Sequence, residues 1–244
     1  MKIRLFTIPN MVTLGNLMCG SCATVAAMVY GDLVVAFWLI VAAAVCDFAD
    51  GAVARLLDQY SKLGVQLDSL ADMISFGFAP AAILFGMSAD AESAFAFSDP
   101  LIVVFRMSIF LMAAFSALRL ARFNIDDSQL DEFRGLPTPA NAIFCAGLGL
   151  IYQLDGVALP LEAITTLALV MAYLLVSPVR MFSLKFHNLN WRENRVRYIF
   201  LIVALLTIIT TALCFHYTYS IPLIIVIYVS ISVLRWVKHG AKVD

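Results

Sequence analysis

A chain of 244 residues that is 62% hydrophobic and only 14% charged cannot build the polar surface of an ordinary soluble domain. Its mean hydropathy of +0.92 marks an integral membrane protein. The net charge of −1 is uninformative, because basic and acidic residues segregate into different loops.

Apolar runs of spanning length follow one another at residues 12–30, 33–57, 63–87, 101–123, 139–154, 159–182, 196–215 and 221–237, the fifth being the weakest because it is short. They predict an all-α integral membrane protein with about eight transmembrane helices, read as one domain over residues 1–244. Lys2 and Arg4 precede Ile8-Pro9-Asn10, and the first span runs straight on, so no cleavable signal is expected. In that span Gly15, Gly20 and Ala23 permit close helix packing, and a homodimer is expected on that basis. Cys19-x2-Cys22 has no second pair and lies in an apolar run; it reads as small buried side chains, and Cys46, Cys145 and Cys214 are isolated.

The second and third spans carry the chemistry. Asp47 and Asp50 are three residues apart and share a helix face, Ala54 follows on the same stripe, and Asp68 and Asp72 form an i, i+4 pair on the next helix. The polar Tyr60-Ser61-Lys62 stretch suits a short turn, which places the four carboxylates opposite one another near one membrane surface. A charge at the bilayer centre costs about 2.5 to 3.5 kcal/mol on insertion scales, and four neighbouring carboxylates repel. Two Mg²⁺ or Mn²⁺ ions would balance them, since all-oxygen ligation suits hard cations. Gly51 and Ala54 leave room for a ligand against the backbone, and Arg55 offers a donor fork for phosphate, so a pyrophosphate substrate is indicated. The structural alternative, a buried ion-pair network, fails on charge: one arginine cannot neutralise four aspartates.

In the remaining spans Arg106 is the one basic residue out of place, facing the interior or snorkelling to the interface. Arg119 and Arg122 are three apart at the end of the fourth span, suited either to an anionic ligand or to anchoring at headgroups. Lys62, Arg134, Lys185, Arg192, Arg195, Lys238 and Lys242 fall on the side of the amino terminus, whereas Asp32, Asp90, Glu92, Asp99 and Asp155 fall on the other. Both termini and the aspartate cluster are therefore expected on the cytoplasmic side of the cell's inner membrane. The basic 183–195 loop, with Phe186 and Trp191, reads as a headgroup contact and not as a nucleic-acid site. His187, His216 and His239 are remote from the cluster in sequence.

The run Asp47-x2-Asp50-Gly51-x2-Ala54-Arg55-x8-Gly64-x3-Asp68-x3-Asp72 resembles the full signature of the CDP-alcohol phosphotransferases, all eight positions matching. The resemblance implies that Asp47, Asp50 and Asp68 bind metal, that Asp72 shares in metal binding and acts as base, and that Gly51, Ala54, Arg55 and Gly64 line the CDP site. Ile8-Pro9-Asn10-x2-Thr13-Leu14-Gly15-Asn16, Ser75-Phe76-Gly77, Leu118 to Asn124 and Phe133-x-Gly135-Leu136-Pro137-x-Pro139-Ala140 resemble the serine-using membrane members, with Asn141 departing from the small apolar residue expected there. That narrower likeness implies transfer of a phosphatidyl group from CDP-diacylglycerol to L-serine within the lipid bilayer, with Arg119, Arg122, Ser75 and Arg106 as candidates for the acceptor or the lipid phosphate. The alternatives are a glycerol-phosphate acceptor, giving phosphatidylglycerophosphate, and, from another class, a divalent-cation transporter. Against transport, Arg55 would repel cations and the acids sit in one hairpin instead of two related halves.

Overall fold

The computed structural model describes residues 5–95, 97–125, 132–184 and 190–239; Lys2, Arg4, Lys185, Phe186, His187 and Lys242 lie outside them. Helix α1 (Ile8–Met28) starts where the Thr7 hydroxyl accepts the Asn10 N–H, and α2 (Leu33–Leu56) starts where Asp32 accepts from Val35. Ser61 accepts the Gly64 N–H to open α3 (Lys62–Asp72). This helix does not end at Asp72 but widens into a π-helix over Met73–Phe78 and continues as α4 (Ala79–Ala89). The widening has a local cause. Pro80 has no N–H for the carbonyl four residues back and its ring crowds that turn, and the Ala79 N–H bonds instead to Ile74, five back.

Beyond α4 come α5 (Asp99–Ser108), α6 (Leu111–Ile125), strand β1 (Glu132–Arg134), α7 (Thr138–Asp155), α8 (Leu161–Val176), strand β2 (Arg180–Phe182), α9 (Trp191–Cys214), a 3-10 turn (Tyr217–Tyr219) and α10 (Ser220–His239). Among the described residues six helical stretches are long and apolar enough to cross a membrane: the first four spans and the last two. The fifth and sixth expected spans correspond to α7, which is not among those six, and α8, a shorter apolar helix. The sixth run was expected to reach residue 182, but Pro178 excludes helical backbone before it and α8 stops at Val176. The chain then pairs β2 with β1 antiparallel, Phe133 opposite Met181. The left-handed Gly135 (φ +79°) follows β1, its N–H bonding to the Val179 carbonyl at 2.9 Å; a Cβ there would lie 2.9 Å from the Leu175 carbonyl carbon.

The acidic loops meet at the far end of the bundle from the 57–61 turn. Gln153 of α7 accepts from the Leu33 and Val34 N–H groups, Asp90 accepts from Tyr152, Glu162 accepts from Ser93, and Asp155 holds Thr218 at 2.6 Å and His216 at 3.1 Å. Between the two ends lies an apolar core that includes Ile40, Phe76, Ile83, Leu84, Met87 and Met112, each at most 1% exposed.

Two members of the small-residue stripe of α1, Gly20 and Ala23, pack inside the chain. Ala23 is fully buried, and Gly20 lies so close to the π-helix that a Cβ would sit 2.5 Å from Ser75 Cα. Gly20→Ala should destabilise the protein by about 1 to 3 kcal/mol through overpacking against backbone. Gly15→Ala meets only Cys46 Sγ at 3.7 Å and should be neutral or slightly stabilising. Thermal unfolding of both variants in detergent checks the contrast; equal midpoints would contradict it.

Candidate active site

After the turn at 57–61 the chain returns as α3, which packs on α1, as α2 does, and carboxylates of α2 and α3 are brought together. Asp47, Asp50 and Asp68 each present an oxygen, and these oxygens all lie within 4.8 Å of one another. Asp72, one turn beyond Asp68, is 9% exposed and Asp50 is 6% exposed. Helix α1 supplies the polar contacts that orient them. The Thr13 hydroxyl donates to Asp50 Oδ2 at 2.6 Å and Asn16 Nδ2 donates to Asp72 Oδ1 at 3.1 Å. Thr13 Oγ1 also lies 3.1 Å from the Pro9 carbonyl, but it has one proton, and the shorter contact to a carboxylate takes it.

Among the described residues no lysine or arginine forms an ion pair with the four aspartates, and Asp68 Oδ1 is buried with no hydrogen-bond partner. Hydrogen bonds from one threonine and one asparagine cannot offset that concentration of like charge. Three converging carboxylates with an orphaned buried oxygen fit a hard divalent cation, and the set could hold a metal ion.

A cleft of about 170 Å³ opens beside the cluster. Gly51 and Ala54 of α2 and Gly64 and Asp68 of α3 line it, together with Asn10 and Thr13 of α1 and Tyr60 and Ser61 of the turn. At Gly64 a Cβ would stand 3.2 Å from Ser61 Oγ and 3.3 Å from Asn10 Oδ1, so only hydrogen leaves that wall open. Arg55 is exposed at the last turn of α2, its Nη1 3.7 Å from the Cβ position of Gly51. Five of the eight signature positions, Asp50, Gly51, Ala54, Gly64 and Asp68, thus line one cleft, and Asp47 shares the carboxylate cluster beside it.

The other four candidates separate. Ser75 is fully buried and donates to the Asn16 carbonyl at 2.9 Å, fastening the π-helix to α1. Arg106 donates through Nη2 to the Ala89 carbonyl at the end of α4, remote from the cluster. Arg119 is 9% exposed and within electrostatic reach of Asp72 and Tyr228, whereas Arg122 is exposed. The two arginines share a helix but not an environment.

Sequence reasoning missed Asn10, Thr13 and Asn16 as site residues. They recur every three positions along a helix otherwise rich in apolar and small residues, and each is at most 3% exposed. That polar i, i+3, i+6 stripe was the available signal.

A family model described as CDP-alcohol phosphatidyltransferase matches residues 6–239. A Bacillus subtilis protein named CDP-diacylglycerol--serine O-phosphatidyltransferase is 32% identical over 180 residues, covering 74% of this chain and 92% of that one. Proteins of the same name from Helicobacter pylori and Saccharomyces cerevisiae are each 38% identical, over 148 and 122 residues. The chain spans about half the length of the Helicobacter relative (55%) and less of the yeast one (40%). Members of the family generally use divalent cations, in keeping with the carboxylate cluster. With the family model spanning nearly the whole chain and five of the eight signature residues lining one cleft, the protein belongs to the CDP-alcohol phosphatidyltransferase family.

Proposed function

We propose that the chain transfers the phosphatidyl group of CDP-diacylglycerol to L-serine, forming phosphatidylserine and releasing CMP. The observation that carries the reading is the convergence of Asp47, Asp50 and Asp68 beside a cleft walled by Gly51, Ala54 and Gly64. The choice of serine is supported by the names of the relatives and by the unpaired polar groups described below. The segregation of Lys and Arg supports a cytoplasmic position for the termini and the cluster, where soluble acceptor and CMP exchange freely.

The four aspartates would hold two divalent cations, Mg²⁺ or Mn²⁺, which when bound offset the pyrophosphate charge and favour attack at the lipid-linked phosphorus. The chain's own groups supply position and proton transfer. Gly51, Ala54 and Gly64 let the cytidine diphosphate lie against helix backbone, and Arg55 at the rim offers its fork to a phosphate. Asp72, oriented by Asn16, accepts the proton of the serine hydroxyl as its oxygen bonds to the phosphorus. The bond from that phosphorus to the CMP oxygen breaks, and CMP leaves. The acyl chains enter sideways from the bilayer.

Purified protein given CDP-diacylglycerol with serine, glycerol phosphate or inositol phosphate in turn should make phosphatidylserine; product formation with another acceptor alone would overturn the serine assignment. Chelation followed by dialysis should abolish CMP release, and Mg²⁺ or Mn²⁺ should restore it. Full turnover in excess EDTA would refute the metal role. Asp72→Asn should remove turnover while CDP-diacylglycerol still binds, whereas Asp50→Ala should weaken both binding and turnover. Asn16→Leu removes a hydrogen bond to a charged group, normally about 1.5 to 3 kcal/mol, and should lower kcat about tenfold or more. Wild-type kcat in either Asp72→Asn or Asn16→Leu would reject the orientation described.

A further inference from the structure

Three buried polar side chains lack partners in a region that the signature does not reach. Ser116 Oγ of α6 is unpaired on a fully buried residue, Arg119 Nε of α6 is unpaired on a residue 9% exposed, and Asn141 of α7 is fully buried with both Oδ1 and Nδ2 unpaired. A packed membrane helix bundle does not retain such groups for stability, because each is a desolvated donor or acceptor with nothing in exchange.

They lie along one seam. Cys145 Sγ of α7 touches Met112 Sδ of α6 at 3.9 Å. The two helices follow one another across a loop at the signature end and run in opposite directions. One turn from that contact toward the loop, Met112 is succeeded on its stripe by Ser116 and Cys145 is preceded by Asn141. Arg119 follows Ser116 by three residues on the same side of α6. Gly77 of the π-helix gives Ser116 its place: a Cβ at Gly77 would stand 2.8 Å from Ser116 Cβ. Gly77 is five residues from Asp72, and Arg119 is within electrostatic reach of that carboxylate, so this group of side chains adjoins the proposed base.

We propose that Ser116, Arg119 and Asn141 bind the α-carboxylate and ammonium of the acceptor amino acid, an assignment that rests on the serine reading above. The inventory of free groups matches a zwitterion. Arg119 only donates and takes a carboxylate; Asn141 both donates and accepts, whichever way its amide is turned, and so meets a carboxylate oxygen and an ammonium together. Ser116 completes either end. A phosphate-bearing acceptor would bring a near-dianion to a single buried cation, with Arg122 outside the seam. Held in this way, the amino acid extends its hydroxyl toward Asp72.

Steady-state kinetics of the purified enzyme in lipid nanodiscs test the assignment. Asn141→Leu and Ser116→Ala remove unpaired polar groups from a packed interior, so their thermal midpoints without ligand should match or exceed wild type. The KM for L-serine should rise about tenfold or more in Asn141→Leu and in Arg119→Lys, with the KM for CDP-diacylglycerol within about twofold. L-Serine alone should raise the thermal midpoint of wild type but not of Asn141→Leu, a readout independent of turnover. If wild type makes phosphatidylserine and the variants keep its serine KM, or both KM values rise together, the pocket is wrong and the serine reading stands. If wild type ignores serine and uses glycerol phosphate, the serine reading falls and takes the pocket with it.

Discussion

Four carboxylates held side by side at the end of an apolar bundle are the constraint around which the rest of this structure is arranged. Their mutual repulsion would drive α2 and α3 apart if only those helices were present, and a hairpin turn is too soft to resist it. Helix α1 supplies the restraint. It packs along α2, lays Thr13 against Asp50 and Asn16 against Asp72, and accepts the π-helix at Gly20 with no intervening side chain. The hydrogen bonds orient the carboxylates; the apolar remainder of α1, with Ala23, Ala26 and Ala27 buried, holds it in place. The remaining electrostatic imbalance is one that a divalent cation would correct, and its binding would then favour the closed arrangement of the hairpin.

The π-helix after Asp72 extends that logic. An uninterrupted α-helix from Lys62 to Ala89 would carry one rotational phase throughout, fixing how the apolar face of α4 relates to the face bearing Asp68 and Asp72. The wider turn adds a residue and rotates everything beyond it. Ser75 then faces α1 and Gly77 faces Ser116 of α6, while Phe76 is fully buried. A change that straightened this turn would disturb both the helix that orients Asp72 and the one that carries Arg119, without altering any charged residue.

Much of this was legible in the residues. The aspartate signature stood out because acids are scarce in so apolar a chain, and the acids of the other loops, Asp90, Asp155 and Glu162, accept from Tyr152, Thr218 and Ser93 at the far end. Other features carried too little local signal. Three-residue strands have no periodicity to read, so the pairing of β1 with β2 was invisible. The π-turn had only Pro80 to announce it. The spacing of Gly15, Gly20 and Ala23 shows that something approaches closely but not whether it belongs to the same chain. Arg119 and Arg122 differ because i, i+3 positions stand about 60° apart on a helix. At the edge of a packed face that offset separates a buried side chain from an exposed one.

The surroundings of the cluster also weigh chemistry against cation transport. A transported ion needs polar stepping stones away from its site, toward the opposite surface. Going from Asp47 and Asp50 toward the far end of α2, the buried positions are Ala43, Ile40, Phe37 and Ala36; beyond Asp72 they include Phe76, Ala79 and Ile83. These side chains close the bundle with hydrocarbon. The unpaired Ser116 of α6 instead lies against Gly77 of the π-helix that follows Asp72, with Arg119 one turn along α6. Around the cluster the polar groups fall into two parts: carboxylates beside an open cleft, and the unpaired donors of α6 and α7. That division suits two substrates meeting at one face of the membrane, one presenting a pyrophosphate to the carboxylates and their cations, the other presenting an anion to an arginine. A purely structural network would be expected to pair its donors with its acceptors. Here they are kept apart, with Asp72 as the carboxylate nearest to both sets.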